Sequence, residues 1–407
     1  MKILMVGLDL NPPWTEGIRN TVFLISKMMI EKGHEIHFLT KGSNDQQISE
    51  KYDGFNYHRI PVGYPDSPMS GVYNFLAKLP TNIYKIIKKE NIDIVHGHSV
   101  FPFFGDIIGL STKAAGAKSV FTVYSSYIDN KIVTGFPTSL NACLKIAKGD
   151  FLAKQMGNCV DRIIVTSEYT YNNLVDIGVN KKKLKHINIG IDVDLFNPKN
   201  TSLSDANRMK NELGIPLGKK VVLFAGDLVP WKGLDIFIKA MSIVNKMRSD
   251  VVGLVAEKSM FEFRQKRLSE IGSMINNTSN NFLYFTGRSS TIWRLYEISD
   301  IIAYPYLSFF SLMDTPLMLL EGMAMAKPII ATNLRQFQDI ITHNYTGILI
   351  DADNDEQLAA SIVYILENEL DSMQLGMNSF ELINKKYTAS KMANDLNEIY
   401  FQVCDVR

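Results

Sequence analysis

The sequence predicts an α/β protein made of two doubly wound domains that face a cleft. Apolar strand patterns alternate with helical patterns from one end of the 407-residue chain to the other. Each strand pattern is a continuous apolar run, which is typical of a parallel sheet covered by helices on both faces. The length exceeds what one ordinary hydrophobic core supports and suits two large domains.

The first domain is predicted at residues 1–198. Its opening apolar run at 2–8 is too short for a secretory signal and is interpreted as a strand. A loop at 11–17 that contains proline and glycine leads into a helix ending at Gly33. The other strands of this domain are predicted at 35–40, 92–96, 119–124 and 162–166. Because the carboxyl ends of parallel strands meet at one edge, we expect ligands to bind there.

The same alternation restarts after a polar connection at 197–218 and predicts a second domain at 199–388. A helix predicted at 233–247 carries apolar residues at helical spacing. The strands of this domain are predicted at 221–226, 251–256, 282–287, 301–306, 329–332 and 347–350. The remaining segment, 389–407, contains an amphipathic helix at 390–403.

Composition and charge exclude several classes of protein. The chain is 46% hydrophobic and 21% charged, as expected for a globular protein. Because 43 basic residues nearly balance 42 acidic ones, an overall electrostatic grip on nucleic acid is not predicted. The three cysteines form no CxxC pair, which argues against a disulfide scaffold and favours a reducing, cytoplasmic compartment. No run approaches the about 18 apolar residues of a membrane span.

The strongest local pattern is the stretch MDTPLMLLEGMAMAKP, which begins at Met313. Thr315 is a good N-cap, Pro316 suits the first helical position, and Leu317 begins the apolar run. A helix starting after a strand directs backbone N–H groups toward the predicted cleft, where they favour a phosphate. Glu321 follows in the second turn, within reach of a ribose diol. The alternative is an ordinary capped helix with a solvated glutamate.

A second pattern, GDLVPWKG, runs from the predicted strand end at Gly226 into a helix. It is not a Walker loop, because no glycine precedes Lys232 and neither serine nor threonine follows it. As a point charge near a strand end, Lys232 could neutralise a diphosphate. The alternative is an ordinary surface lysine.

Two further patterns each leave an alternative open. His96 and His98 project to the same side of an extended strand, but no third ligand has recognisable spacing, so a metal pair is disfavoured. The segment 71–90 interleaves apolar residues with lysines and could rest on an anionic membrane as an amphipathic helix. A packed helix with a solvated lysine face is the alternative.

The order and spacing of several segments make the chain resemble the retaining GT-B-fold glycosyltransferases of family 4, over nearly its whole length. The matching segments are NPPWTEG, EKGHEIHFLT, IDIVHGHS, GIDVDLFNP, GDLVPWKGLD and PLMLLEGMAMAKPIIAT. The resemblance implies two Rossmann-like domains, with a C-terminal helix that crosses back onto the first. It also implies transfer of a sugar from a nucleotide donor with retention of configuration and without a bound metal.

The resemblance also implies roles for residues. Lys232 would meet the diphosphate and Glu321 the ribose, and these two are the expected catalytic residues. The expected donor-binding set is Gly17, Gly226, Asp227, Lys232, Arg288, Ser289, Thr315, Pro316, Leu317 and Glu321. The residues expected on the sugar or acceptor side are His98, Tyr124 and Asp314. The co-substrate would be a UDP- or GDP-linked sugar, and the acceptor a carbohydrate, a lipid-linked molecule or a small molecule.

The chain departs from the family pattern at three of these positions. Asp227 replaces an arginine, Tyr124 replaces a histidine, and Met313 replaces the first glutamate, with Asp314 one residue out of register. Two unit charges about 4 Å apart interact by about 4 kcal/mol at an effective dielectric of 20, so an anion beside a diphosphate needs compensation. The candidate compensating cations are Arg288 and Lys258.

These departures keep two hypotheses open. The first is an active glycosyltransferase that acts in the cytoplasm, with peripheral contact at the inner face of the membrane, and serves polysaccharide biosynthesis. The second is a catalytically weakened relative that binds a sugar nucleotide or partners an active transferase. A sugar-nucleotide epimerase or phosphorylase on the same fold is disfavoured, because the residue sets of those sites are not found.

Overall fold

The structure, a computed structural model, divides into two compact units. The N-unit comprises Met1–Gly190, Ser311–Thr315 and Ala389–Arg407, and the C-unit comprises Ile191–Phe310 and Pro316–Thr388. The residues that the structure describes are 1–12, 17–42, 49–62, 68–99, 102–125, 149–226, 228–257, 269–270, 272, 282–288, 291–308 and 313–405. Each unit is built around its own sheet.

The N-unit contains an eight-stranded sheet in the order β3-β4-β2-β1-β5-β6-β7-β8. Its strands are β1 Lys2–Val6, β2 Glu35–Gly42, β3 Ser49–Tyr52, β4 Phe55–Pro61, β5 Ile94–Ser99, β6 Lys118–Val123, β7 Arg162–Val165 and β8 Leu184–His186. Its helices before residue 191 are α1 Gly17–Glu31, α2 Pro68–Glu90, α3 Pro102–Ala115, α4 Gly149–Cys159 and α5 Glu168–Asp176. The strands pair in parallel, except that β3 runs antiparallel to β4.

The C-unit contains a six-stranded parallel sheet in the order β11-β10-β9-β12-β13-β14. Its strands are β9 Lys220–Gly226, β10 Val251–Glu257, β11 Leu283–Arg288, β12 Ile301–Tyr304, β13 Ile329–Thr332 and β14 Ile348–Ile350. Its helices are α6 Leu203–Glu212, α7 Leu234–Met247, α8 Ile292–Ile298, α9 Leu317–Ala324, α10 Arg335–Gln338, α11 Asp355–Glu367 and α12 Glu369–Lys386. The last helix of the chain, α13 Ala389–Asp405, belongs to the N-unit.

Helices cover both faces of the N-unit sheet, as the continuous apolar strands predict. One apolar cluster gathers Phe75 of α2, Phe104 of α3 and Met156 of α4 against the strands. On the other face, Met29 of α1 and Leu396 of α13 join a second cluster. The apolar stripe of α13 is therefore part of the N-unit core.

Three strands of the N-unit, β3, β4 and β8, lack the pattern that predicts the other strands, and their composition explains why. Strand β3 is polar, with the sequence SEKY, and three of its four residues are exposed. Strand β4 alternates buried and half-buried residues, and β8 is only three residues long. None of the three shows the continuous apolar run from which the other strands were predicted. The remaining predicted strands are present, with ends that differ by up to three residues.

The basic amphipathic segment forms α2, and its apolar side is already used within the N-unit. Phe75, Leu79 and Ile83 are fully buried in the core cluster. The opposite side of α2 exposes Tyr73 and Tyr84, together with lysines. The prediction of a packed helix with a solvated lysine face is therefore right. Among the helices in the described ranges, none is both long enough and apolar enough to cross a membrane.

Candidate functional site

In the C-unit, a short turn at the end of β9 brings Lys232 to the carboxyl edge of the sheet. Residues Pro230–Lys232 form a 3₁₀ turn, and Gly233 follows with a left-handed φ of 74° before α7 begins. A Cβ atom at Gly233 would overlap the carbonyl oxygen of Pro305, so the position requires glycine for both backbone angle and space. The turn is thereby packed directly against the segment that follows β12.

Lys232 is buried, with 5% of its surface exposed, which excludes an ordinary surface lysine. Its Nζ donates a hydrogen bond of 2.8 Å to the hydroxyl of Tyr306 and lies 3.9 Å from the centroid of that ring. The aliphatic part of the side chain runs beside Gly226, where an added Cβ would lie 3.7 Å from the lysine Cδ. The sequence therefore places a buried ammonium group at the end of β9.

Glu321 is also buried, because α9 turns it toward two tyrosines of the C-unit. The hydroxyl of Tyr296 lies 3.1 Å from Glu321 Oε2 and 3.2 Å from the carbonyl oxygen of Met318, so these two acceptors share its single proton. Tyr304 donates to the same carbonyl at 2.5 Å. Burial, followed by neighbouring tyrosine and carboxylate charges, raises the pKa of Tyr296 and Tyr304 well above the usual value, so both stay protonated donors. The prediction of a solvated glutamate is wrong.

The predicted capping of α9 by Thr315 is also wrong. The helix begins at Leu317, and Pro316 occupies the cap position without a side-chain hydrogen bond. Thr315 belongs to the N-unit, where its hydroxyl donates to the carbonyl of Thr166 at 3.1 Å. The capping preference was overridden because tertiary packing gives this hydroxyl another acceptor.

Several residues of the expected donor set lie outside what the structure describes. Asp227, Ser289 and Lys258 fall outside the described residues. The backbone of Arg288 pairs with Glu257 between β11 and β10, while its side chain is also outside the described part. Their predicted roles stay predictions.

In the N-unit, Asp314 is held by hydroxyl groups at the end of β7. Ser167 Oγ donates to its carboxylate at 2.7 Å, and Thr170 Oγ1 donates to the same oxygen. The backbone N–H of Asp314 donates to the carbonyl of Tyr124 at 2.9 Å. Only 2% of Asp314 is exposed, so its carboxylate is engaged in fixing the segment that carries it.

His98 and Tyr124, both expected on the sugar or acceptor side, are paired in the interior of the N-unit. His98 Nε2 lies 3.4 Å from Met5 Sδ, and its Nδ1 lies 3.0 Å from the hydroxyl of Tyr124. Because sulfur can only accept here, Nε2 carries the proton and Nδ1 accepts from the phenol. Burial lowers the pKa of His98 to about 3 and raises that of Tyr124, so both groups are neutral.

His96 continues this interior network toward the last helix. Its Nδ1 lies 2.6 Å from the Tyr400 hydroxyl of α13, and its Nε2 lies 2.7 Å from Thr122 Oγ1. The His96 and His98 rings are 4.0 Å apart, which confirms that the two side chains share one side of β5. Across the described residues, no three His, Cys, Asp or Glu side chains are grouped so as to hold a metal ion.

Gly17, the first residue of α1, lies against the side chain of Met313. A Cβ atom at Gly17 would lie 2.5 Å from Met313 Sδ, so glycine leaves room for this thioether. Both residues belong to the N-unit. Met313 therefore presents an apolar thioether at the start of α1.

The sequence analysis missed the tyrosines that hold Lys232 and Glu321. A weak signal was present, since Tyr304 ends the apolar strand β12 and Tyr306 follows it by two residues. Tyr296 gave no signal, because it lies 25 residues before Glu321 within an ordinary helical pattern.

Comparison with known families decides the affiliation of the chain. A model described as "Glycosyltransferase Family 4" matches residues 15–195, and one described as "Glycosyl transferases group 1" matches residues 205–381. The two matches together span most of the chain. The protein belongs to the GT-B glycosyltransferases of group 1.

Relatives and solved structures of this family cover almost the entire chain. N-acetyl-alpha-D-glucosaminyl L-malate synthase from Bacillus anthracis is 22% identical and covers 93% of the chain, which covers 92% of the relative. Sucrose-phosphate synthase from Thermosynechococcus elongatus matches with a TM-score of 0.84 at 18% identity, with full coverage of both chains. HepE from Anabaena, in complex with UDP-glucose, matches with a TM-score of 0.76 at 17% identity, covering 99% of this chain and 100% of its own. These structural likenesses establish the fold, with two Rossmann-like parallel sheets.

Proposed function

We propose that this glycosyltransferase moves a sugar from a UDP- or GDP-linked donor to a glycan, a lipid-linked molecule or a small acceptor, with retention of configuration. The observation that carries the proposal is the buried pair of charged side chains in the C-unit, Lys232 and Glu321, each held by a tyrosine hydroxyl. Burying a charged group is unfavourable unless it is compensated, so such a site favours a ligand-binding role over a purely structural one.

In this proposal, Lys232 and Glu321 bind different parts of the donor. The ammonium group of Lys232 stabilises the charge that develops on the diphosphate as the sugar leaves. The carboxylate of Glu321 accepts hydrogen bonds from the ribose hydroxyls. Neither role needs a bound metal, so we propose metal-independent transfer. The UDP and UDP-glucose complexes of HepE, a neighbour of the same fold, support a nucleotide-sugar donor.

Two observations bear on the acceptor. The relative from Bacillus anthracis is named for a product that contains an N-acetyl-α-D-glucosaminyl group and L-malate, which supports a small acceptor. The apolar face of α2 is buried, but its exposed face carries Lys85 and Lys88 beside Tyr73 and Tyr84, and the lysine charges suit electrostatic contact with an anionic membrane surface. That face supports a lipid-linked acceptor, and co-sedimentation with anionic but not neutral liposomes tests it.

Turnover of a donor panel by purified protein tests the proposed function. UDP- and GDP-linked sugars are incubated with candidate acceptors with and without EDTA, and NMR of the product reports the anomeric configuration. We expect release of the nucleotide that is insensitive to EDTA and a product of retained configuration. Absence of turnover together with absence of a donor-dependent thermal shift would contradict the proposal.

A second candidate, a catalytically weakened homologue, is favoured by two contacts in the N-unit. The Met313 thioether stands against Gly17, and the Tyr124 phenol is turned inward to His98. If this candidate is right, the combined substitutions Asp227→Arg, Tyr124→His and Met313→Glu create activity that the wild type lacks. Strong wild-type turnover that Lys232→Ala abolishes would exclude it.

A further inference from the structure

We infer that Tyr306 is a positioning residue that fixes the ammonium group of Lys232 at the carboxyl edge of the C-unit sheet. The inference rests on the proposed function and assigns a role to a residue that no family motif singled out in the sequence. Tyr306 is itself fully buried, so it acts on a donor through Lys232 rather than by direct contact.

The first support is the contact between the two side chains. Lys232 Nζ donates to the Tyr306 hydroxyl at 2.8 Å and also lies 3.9 Å from the ring centroid. A hydroxyl acceptor and the electron-rich face of an aromatic ring both attract a cation. The two attractions converge on one atom, which restricts a side chain that is otherwise among the most flexible.

The second support is the rigidity of Tyr306 itself. Thr332 Oγ1, at the end of β13, donates to the carbonyl of Tyr306 at 2.7 Å. The ring of Phe337 packs against the Tyr306 ring with centroids 5.4 Å apart. Both partners come from elements that lie outside the Lys232 turn. Tyr306 is therefore held in place independently of the lysine that it contacts.

The third support is the backbone clamp between the two segments. The N–H of Leu307 donates to the carbonyl of Trp231 at 2.8 Å, one residue away from each partner of the side-chain contact. On the other side, Gly233 touches the carbonyl of Pro305 so closely that no Cβ fits. The Lys232–Tyr306 contact thus lies between two backbone contacts that fix its register. The ammonium group is positioned before any donor arrives, which is the preorganisation that electrostatic catalysis requires.

A double-mutant cycle on UDP affinity tests the inference. UDP binding is measured by calorimetry for the wild type, Tyr306→Phe, Lys232→Ala and the double variant. Because a hydrogen bond from a charged group is lost, we expect Tyr306→Phe to weaken UDP binding about tenfold, and Tyr306→Leu, which also removes the ring, to weaken it further. In the Lys232→Ala background, the same Tyr306→Phe change should have no effect.

Matched variants and a kinetic measurement separate positioning from general damage. Tyr304→Phe removes a buried hydroxyl that bonds to the Met318 carbonyl instead of to Lys232, and its effect should persist in the Lys232→Ala background. With a turnover substrate, Tyr306→Phe should lower kcat more than it changes the donor KM, because the leaving-group charge grows in the transition state. An equal loss for Tyr306→Phe with and without Lys232 would overturn the inference.

A labelling experiment makes the result independent of nucleotide binding. Acetylation of Lys232 by acetic anhydride is followed by peptide mass spectrometry, with exposed Lys239 of α7 as an internal reference. We expect Lys232 to react several-fold faster in Tyr306→Phe than in the wild type, because the acceptor that holds Nζ is gone. Equal labelling rates would overturn the role of Tyr306. Failure of the wild type to bind UDP or GDP, with labelling changed as expected, would instead contradict the proposed donor site alone.

Discussion

The N-unit and the C-unit both bury polar side chains along their parallel strands, but the two groups differ in charge. In the N-unit, His96 and His98 are neutral and share hydrogen bonds with tyrosine, threonine and methionine side chains of the same interior. In the C-unit, Lys232, which follows β9, and Glu321, within α9, are each held by a tyrosine hydroxyl. A network of neutral groups whose hydrogen bonds are all made within the interior stabilises the fold. Buried charged groups are more typical of a ligand-binding site.

The largest expected effect is that of Lys232→Ala in the C-unit. Removing one preorganised group that stabilises developing charge lowers kcat by about 10² to 10³-fold. The fold should survive, because Tyr306 stays held by the Thr332 hydroxyl and the Phe337 ring when the lysine is removed. Turnover and thermal unfolding are measured beside the matched control Lys239→Ala, which changes an exposed lysine of α7. Wild-type turnover in Lys232→Ala would show that the buried charge of the C-unit, like the neutral network of the N-unit, serves only the fold.

The next effect is that of Glu321→Ala, which should raise the donor KM by roughly tenfold or more. The expected cause is loss of the hydrogen bonds between the ribose hydroxyls and a charged acceptor. Glu321→Gln, which keeps one acceptor oxygen for Tyr296, should lose less. The exposed α12 residue Glu381, replaced by alanine, serves as the control. A donor KM unchanged by Glu321→Ala would contradict the ribose assignment.

Features that depend on neighbouring residues in the sequence were predictable, whereas contacts between residues far apart in the chain were not. Continuous apolar runs predicted both parallel sheets, and local motifs placed Lys232 and Glu321 at a strand end and in a helix. Their tyrosine partners were missed because a contact such as Tyr296 with Glu321 depends on tertiary packing. The hydroxyl of Thr170 reaches Asp314 across 144 residues of chain, which no local pattern reports.

In the N-unit, we expect low pH to reduce the free energy of unfolding, because the buried histidines cannot be protonated in the folded state. The pKa of His98 is lowered to about 3 in the folded state, against about 6.5 when unfolded. Between about pH 6.5 and pH 3, the unfolded state therefore carries a proton on His98 that the folded state lacks. The free energy of unfolding falls as the pH is lowered through this range. The slope from this one group is about 1.4 kcal/mol per pH unit.

Urea unfolding between pH 7 and pH 4 checks this slope. His98→Phe should flatten the pH dependence of the free energy of unfolding by about that amount relative to the wild type. Identical slopes for wild type and His98→Phe would show that His98 does not titrate as its burial requires. We expect His98→Phe to leave the UDP affinity at pH 7 unchanged, because His98 lies in the hydrogen-bond network inside the N-unit.

The smallest effect is expected for Tyr400→Phe, which removes the α13 hydroxyl that lies 2.6 Å from His96 Nδ1. Loss of one buried hydrogen bond should lower the free energy of unfolding by about 1 to 2 kcal/mol while UDP affinity stays at the wild-type value. Chemical denaturation and calorimetry give the two numbers. A weaker UDP affinity with an unchanged free energy of unfolding would contradict the claim that the His96 network stabilises the fold and takes no part in donor binding.

A crystal structure of the protein soaked with UDP tests the central claim most directly. The account predicts diphosphate oxygens within hydrogen-bond distance, about 2.7–3.2 Å, of Lys232 Nζ, and ribose hydroxyls on the carboxylate of Glu321. It also predicts that the Lys232–Tyr306 contact persists when the nucleotide is bound. UDP bound elsewhere on the protein, with no nucleotide atom in contact with Lys232 or Glu321, would contradict this assignment of the donor site.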